Sequence, residues 1–184
     1  MSRRASRGAT TIEMTLVGIP LIFILISIFE ISRGMWMYHT AAYAVRDGVR
    51  FATVHGVNCV NNPPGVPNNC TRTANDIISV IRDGKDPVSG NFLGAGAVGL
   101  NPSQTTVTFI SRTAAPFNCL LNGTSGGNCQ SRWPPDNDNA VSNPITIRIQ
   151  TPFSSALSMF WPGSRPVRFA VVNLWASSTD TIEF

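Results

Sequence analysis

From Met14 to Phe29 the chain carries no charge, and only Thr15, Gly18, Pro20 and Ser27 interrupt its apolar run. Extended from Ala9 to Ile31, the run has about 23 residues, or roughly 35 Å of helix, which is enough to cross a bilayer. Glu13 and Glu30 stand near its two ends. The pattern then changes to an amphipathic one. Tyr38, Ala42, Val45, Val49 and Ala52 recur at steps of four and three, which predicts one apolar helical stripe. His39, Tyr43, Arg46, Asp47 and Arg50 fall on the other side. Gly48 reads as a weak point in this helix, at about 1 kcal/mol against alanine. Val54-His55-Gly56 ends it, with Gly56 as the expected C-cap. A single helix from Ala9 to Val54 would be roughly 69 Å long.

Beyond Gly56 the pattern breaks into short pieces. Asn58 to Asn69, with Pro63-Pro64-Gly65, reads as a loop. Thr73-Ala74-Asn75-Asp76 forms a capping-box pattern before a short helix from Asp76 to Asp83, with Ile77, Ile78 and Ile81 apolar. Gly90 to Asn101 reads as a flexible stretch. Thr106 to Ser111 alternates as a strand. Ile145, Ile147 and Ile149 alternate with Thr146, Arg148 and Gln150 in the clearest strand pattern of the chain. Val167 to Trp175 is apolar on both faces from Ala170 onward, which predicts a central or helix-covered strand. Pro152 to Gly163, with Phe153, Leu157, Met159, Phe160 and Trp161, reads as a core-capping loop or short helix. The expected fold class is α+β: a long N-terminal helix, half membrane and half amphipathic, packed on a small antiparallel sheet.

The expected domains are a basic leader over 1–8, a transmembrane helix over 9–32 and a periplasmic domain over 33–184, with the helix continuing over 33–55. Among 184 residues the formal charge is +4, and Arg3, Arg4 and Arg7 sit together in the leader. The other arginines are scattered, with no stripe to follow a phosphate backbone, so no nucleic-acid partner is expected. The cluster reads instead as the cytoplasmic flank of the membrane segment. A cleaved secretory signal would leave Ala42-Tyr43-Ala44 as its processing site, but that lies past Arg33, far beyond the apolar run.

Four cysteines fall beyond the membrane segment, and their spacing makes Cys59–Cys70 and Cys119–Cys129 the expected local disulfides. The other two connectivities stay open at this level. An oxidising compartment such as a periplasm fits them. Neither pair has zinc-ligand spacing, and the chain has 2 histidines, so no metal and no cofactor is expected. Asp136-Asn137-Asp138-Asn139 resembles half of a calcium loop but lacks the later glutamate, and reads as a solvated loop. No grouping of nucleophile, base and metal ligand is visible, so no enzyme and no small-molecule substrate is expected.

The most informative stretch is Arg7-Gly8-Ala9-Thr10-Thr11-Ile12-Glu13-Met14. A carboxylate near the start of a membrane segment is costly and calls for a partner. A basic leader ending in Gly8, followed by Glu13 five residues later, resembles a type IV pilin leader. Continued as Thr-Ile-Glu-Met-Thr-Leu-Val, it resembles the TadE-like family of the Tad (tight adherence) pilus system. Ala41 to Ala52, with Arg46-Asp47-Gly48-Val49-Arg50, is similar to that family's second signature, a small-residue helix ending in an Ala-Arg-x-Gly-x-Arg-like pattern.

The resemblance implies a pilin-like fold, a cut between Gly8 and Ala9 by a prepilin peptidase, and subunit assembly through Glu13. It implies a minor pilin or pseudopilin contributing to pilus assembly and adherence. Its partners would be other pilins, pseudopilins and inner-membrane assembly proteins. The protein would sit in the bacterial inner membrane with a single pass, its N-terminus cytoplasmic and its C-terminal domain periplasmic, and would enter a surface filament after processing. The alternative is an uncleaved, membrane-anchored periplasmic scaffold or binding module that never joins a filament.

Overall fold

The computed structural model describes residues 6–55, 72–123, 127–155 and 171–183. Two compact units emerge: Met1–Trp36 with Ser154–Ala170, and Met37–Phe153 with Val171–Phe184. Helix α1, Ser6–Thr53, contributes to both.

In the first unit α1 is apolar all round and exposed, as a helix surrounded by lipid must be. Pro20 lies within it without ending it. The few hydroxyls of this stretch bond back to the helix. Thr15 Oγ1 donates to the carbonyls of Thr11 (3.1 Å) and Ile12 (2.9 Å), Ser27 to that of Phe23, and Ser32 to that of Ile28. No hydroxyl in this set needs water to satisfy its proton.

The second unit is a four-stranded antiparallel sheet with helices on one face. Its strands are β1 (Thr106–Ile110), β2 (Phe117–Leu120), β3 (Pro144–Phe153) and β4 (Val172–Thr181), in the spatial order β2-β1-β3-β4. The period-two pattern sends Val107, Phe109, Cys119, Ile145, Ile147, Ile149 and Ala176 inward. Phe109 stacks on Phe117 and meets Trp133 edge-on, with centroids 4.9 Å apart. The outer face is polar: Thr108 donates to Asn118 at 2.7 Å, and Thr146 and Thr179 bond at 2.8 Å.

Onto the inner face pack the second half of α1 and helix α2, Ala74–Asp83, completing one core. The buried stripe of α1 is Ala41, Ala44, Val45, Gly48, Val49 and Ala52. This corrects the expected stripe. Tyr38 is exposed and Ala42 only half-buried, because the small residues, rather than the large ones, allow α2 to approach. Helix α2 buries Ile77, Ile78 and Ile81 completely.

Its N-terminus has the expected capping box, and the helix begins two residues earlier than the apolar pattern suggests. Thr73 Oγ1 accepts from the Asp76 N–H (3.2 Å), and Asp76 Oδ2 accepts from the Thr73 N–H (2.8 Å). Thr73→Ala is expected to cost about 1 kcal/mol, and Thr73→Ser to recover most of it. Chemical denaturation of the full chain in detergent measures both, and equal loss in the two variants would refute the capping role.

Three further expectations change. Gly90 to Asn101 is pinned, not flexible: the N–H groups of Leu93 and Gly94 donate to Gly84 O, and that of Ala97 donates to Arg82 O. Gly84 itself has φ 64°, and a Cβ there would meet the Gly94 carbonyl oxygen. The last strand is neither central nor covered. It begins at Val172, runs to Thr181 at the sheet edge and leaves Trp175 half exposed, so its alternation continues into the polar Ser177–Thr181. Strand β2 was unforeseen. The expected loop Asn58–Asn69, the Gly56 cap, the Cys59–Cys70 pair and most of Pro152 to Gly163 lie outside the described residues.

Candidate functional site

Three places carry candidate function, all on or beside α1. The first is its beginning. Gly8 and Ala9 lie in the first turn of the helix, which starts at Ser6. Glu13 is exposed, one helical turn beyond Ala9, and among the described residues it takes part in no ion pair. Its surroundings on α1 are Ile12, Met14, Leu16 and Val17, all strongly exposed. A carboxylate beside such exposed apolar residues is costly in lipid without a partner.

The second place is the end of the apolar run. Glu30 and Arg33 pair across one turn at 3.6 Å, and Arg33 Nη2 also donates to the Ser154 carbonyl at 3.1 Å. The charges that close the apolar run are thus held together.

The third is the signature Arg46-Asp47-Gly48-Val49-Arg50. Its two arginines face outward while Gly48 and Val49 face the core. A Cβ on Gly48 would lie 2.5 Å from Ile81 Cγ1, so this glycine is the point where α1 and α2 touch. The sequence reading treated it as a weak point. Beside it, Asp47, Arg50, Phe51, Val54, His55, Asp86 and Leu93 line an open cleft of about 290 Å³.

Burial raises the Asp47 carboxyl, against the opposing pull of Arg50 and Arg46. His55 Nδ1–H donates to the Phe51 carbonyl at 2.6 Å. Burial nevertheless lowers its pKa, so its ring favours the neutral form. Arg72, almost fully buried, pairs with Asp86 at 3.5 Å and lies 5.2 Å from the Phe51 ring centroid. Arg72 thus stands between Phe51 of α1 and Asp86 in the loop after α2.

Away from α1, Cys119 and Cys129 are joined by a disulfide, closing the loop between β2 and a short 3₁₀ turn, η1 (Gly127–Gln130). The Asp136–Asn139 stretch is not the solvated loop expected from sequence. Asp138 and Asn139 are buried, and the Asp138 carboxylate accepts from the Thr113 and Ala114 N–H groups and the Thr113 hydroxyl. Sequence reasoning missed this role; a turn rich in Asn and Asp was its one signal.

The fold and these sites define a class: an α+β head carried on a helix that is long and apolar enough to span a membrane once. Within that class the chain's N-terminal segment is TadE-like. The family model described as TadE-like protein matches residues 8–50, from Gly8 through Glu13 to Arg50. The family points to a Tad pilus-associated protein with a membrane location and pilus partners. No curated protein and no solved structure matches the chain.

Proposed function

We propose that this chain is a minor pilin or pseudopilin of a Tad-type pilus system, acting as a structural subunit and not as an enzyme. The observation that carries the reading is the TadE-like match beginning at Gly8, on a helix that presents Glu13 one turn past Ala9. A prepilin peptidase cuts between Gly8 and Ala9, with Arg3, Arg4 and Arg7 holding the leader in the cytoplasm. The cut gives Ala9 a free amine. In a bundle of such helices the Glu13 carboxylate of one subunit pairs with that amine on its neighbour. Either charge left alone in an apolar bundle is costly, so the pair sets the axial register between subunits. The head, with its disulfide, faces the periplasm and contributes to assembly and adherence.

N-terminal sequencing of the protein purified from cells with an intact pilus system tests this. The mature chain is expected to begin at Ala9, and Gly8→Leu is expected to keep the leader while still inserting. A wild-type chain that begins at Met1 or Ser2 leaves the uncleaved membrane-anchored scaffold as the correct reading.

A further inference from the structure

We propose that β4 is a pairing edge for a second copy of this chain, joining two heads through one antiparallel strand pair. This goes beyond the pilin reading and depends neither on cleavage nor on entry into a filament. β4 pairs with β3 along its whole length, and no described strand lies beyond it. The register shows which of its backbone groups face outward. Thr181 stands opposite Pro144, and Asn173 opposite Pro152. Proline has no N–H, so neither pair can exchange the two bonds of a close antiparallel pair. The odd-numbered residues of β4 therefore turn their N–H and C=O groups away from β3. The residues that follow agree. Ile182 N–H donates to Asn143 O, on the β3 side, while Glu183 N–H donates the other way, to Thr53 O of α1. The Thr181 N–H is taken by the Asp180 side chain at 2.9 Å. The backbone groups of Asn173, Trp175, Ser177 and Thr179 are thus left facing the open edge.

Sheet edges are usually blunted by brevity, proline, lysine or a bulge. The opposite edge of this sheet is short: β2 has 4 residues, and Cys119 ties it to η1. β4 has 10 residues, no proline, no lysine and a single charge, Asp180. The occupant that fits it is its own copy. The open residues are symmetric about Ala176. A two-fold axis there, perpendicular to the sheet, pairs Asn173 with Thr179 of the second copy and Trp175 with Ser177, and satisfies every open group. Thr181, already engaged, falls outside the pairing. Asp180 comes opposite Val172 and not opposite the second Asp180, so no like charges meet. On the outer face the half-exposed Trp175 meets the small Ser177 directly and the second Trp175 on the diagonal, within reach of an aromatic ring. The contact is self-complementary and closed, and it covers both long edges at once.

The test uses full-length chains with two distinguishable tags, co-expressed and kept in the membrane. One carries Asn173→Cys and the other Thr179→Cys. In this pairing the Cα atoms of the two positions lie about 5.5 Å apart, whereas two copies of either position lie about 20 Å apart. A short bismaleimide is expected to link the mixed pair and to link neither variant to itself. Absence of a mixed-tag dimer, or equal linking of either variant to itself, overturns the proposal. Ser177→Pro, added to both chains, removes an outward N–H and no bond to β3. It is expected to abolish the linked dimer while the Cys119–Cys129 disulfide still forms, as read by mass spectrometry of unreduced peptides. A linked dimer that persists at wild-type yield overturns the edge pairing. Sequencing the N-terminus of the same preparation reports processing separately, so this pairing and the pilin reading can fail independently.

Discussion

Gly48→Val is expected to lower the stability of the head by about 3 kcal/mol, and Gly48→Ala by about 1–2 kcal/mol. On helix propensity alone the alanine variant would gain about 1 kcal/mol. The geometry reverses that sign. An added Cβ would sit 2.5 Å from Cγ1 and 2.8 Å from Cδ1 of Ile81, and 3.6 Å from Cγ2 of Ile77. Ile81 and Ile77 have no exposed surface into which to retreat. Relief requires either an off-rotamer isoleucine or separation of the two helices, which opens gaps around Val45 and Val49. Ile81→Val removes Cδ1 and should recover part of the alanine loss, giving a measurable coupling between the two sites. Denaturant titration of the full chain in detergent reads all four variants. A Gly48→Ala variant more stable than wild type would show that the helices do not approach as described.

That contact also explains the second half of the TadE-like segment in physical terms. Ala41, Ala44, Gly48 and Ala52 form a buried small-residue stripe on which α2 makes its close approach at Gly48, while Arg46 and Arg50 face outward. The sequence revealed the helix but misplaced the seam. Periodicity arguments weight large apolar residues, so Tyr38 was drawn into a stripe that the packing assigns to Ala41 and Ala44. Strands β1 and β3 were readable because one face of each is aliphatic and the other polar. Strand β2 was not, being four residues long with only Cys119 buried. Strand β4 misled because its apolar start is exposed at the sheet edge, Val172 and Trp175 included, while the strand pairs along its whole length with Pro144–Phe153. Of the candidate site, Gly8, Ala9 and Glu13 were visible because an apolar background isolates them. The cleft around Phe51, His55 and Asp86 was not, because it joins residues separated by the loop after α1. A buried carboxylate such as Asp138 was hidden for a similar reason: its donors come from a different turn.

Asp138→Ala is expected to destabilise the head by about 3 kcal/mol or more. The Asp138 carboxylate is fully buried and connects the turn after β1 to the loop before β3. Its Oδ2 accepts from the N–H groups of Thr113 (2.8 Å) and Ala114 (3.0 Å), and its Oδ1 accepts from the Thr113 hydroxyl (2.6 Å). Alanine would strand two backbone donors away from water. Asparagine keeps one oxygen for those N–H groups and can offer its amide to the Thr113 hydroxyl, so Asp138→Asn should lose about half as much. The two variants also separate the charge from the shape. Burial alone would raise the Asp138 pKa, but the Ser111 and Thr113 hydroxyls and the Thr113 and Ala114 N–H groups outweigh it and hold the carboxyl well below the usual range. A folded pKa below the unfolded value of about 3.9 means this contribution is fully present above that pH and is lost as the pH falls below it. Wild-type stability should therefore drop as the pH falls below about 4, and the Asp138→Asn curve should be flatter over the same window. Parallel acid-denaturation curves for the two proteins would show that the carboxylate is not the group that titrates.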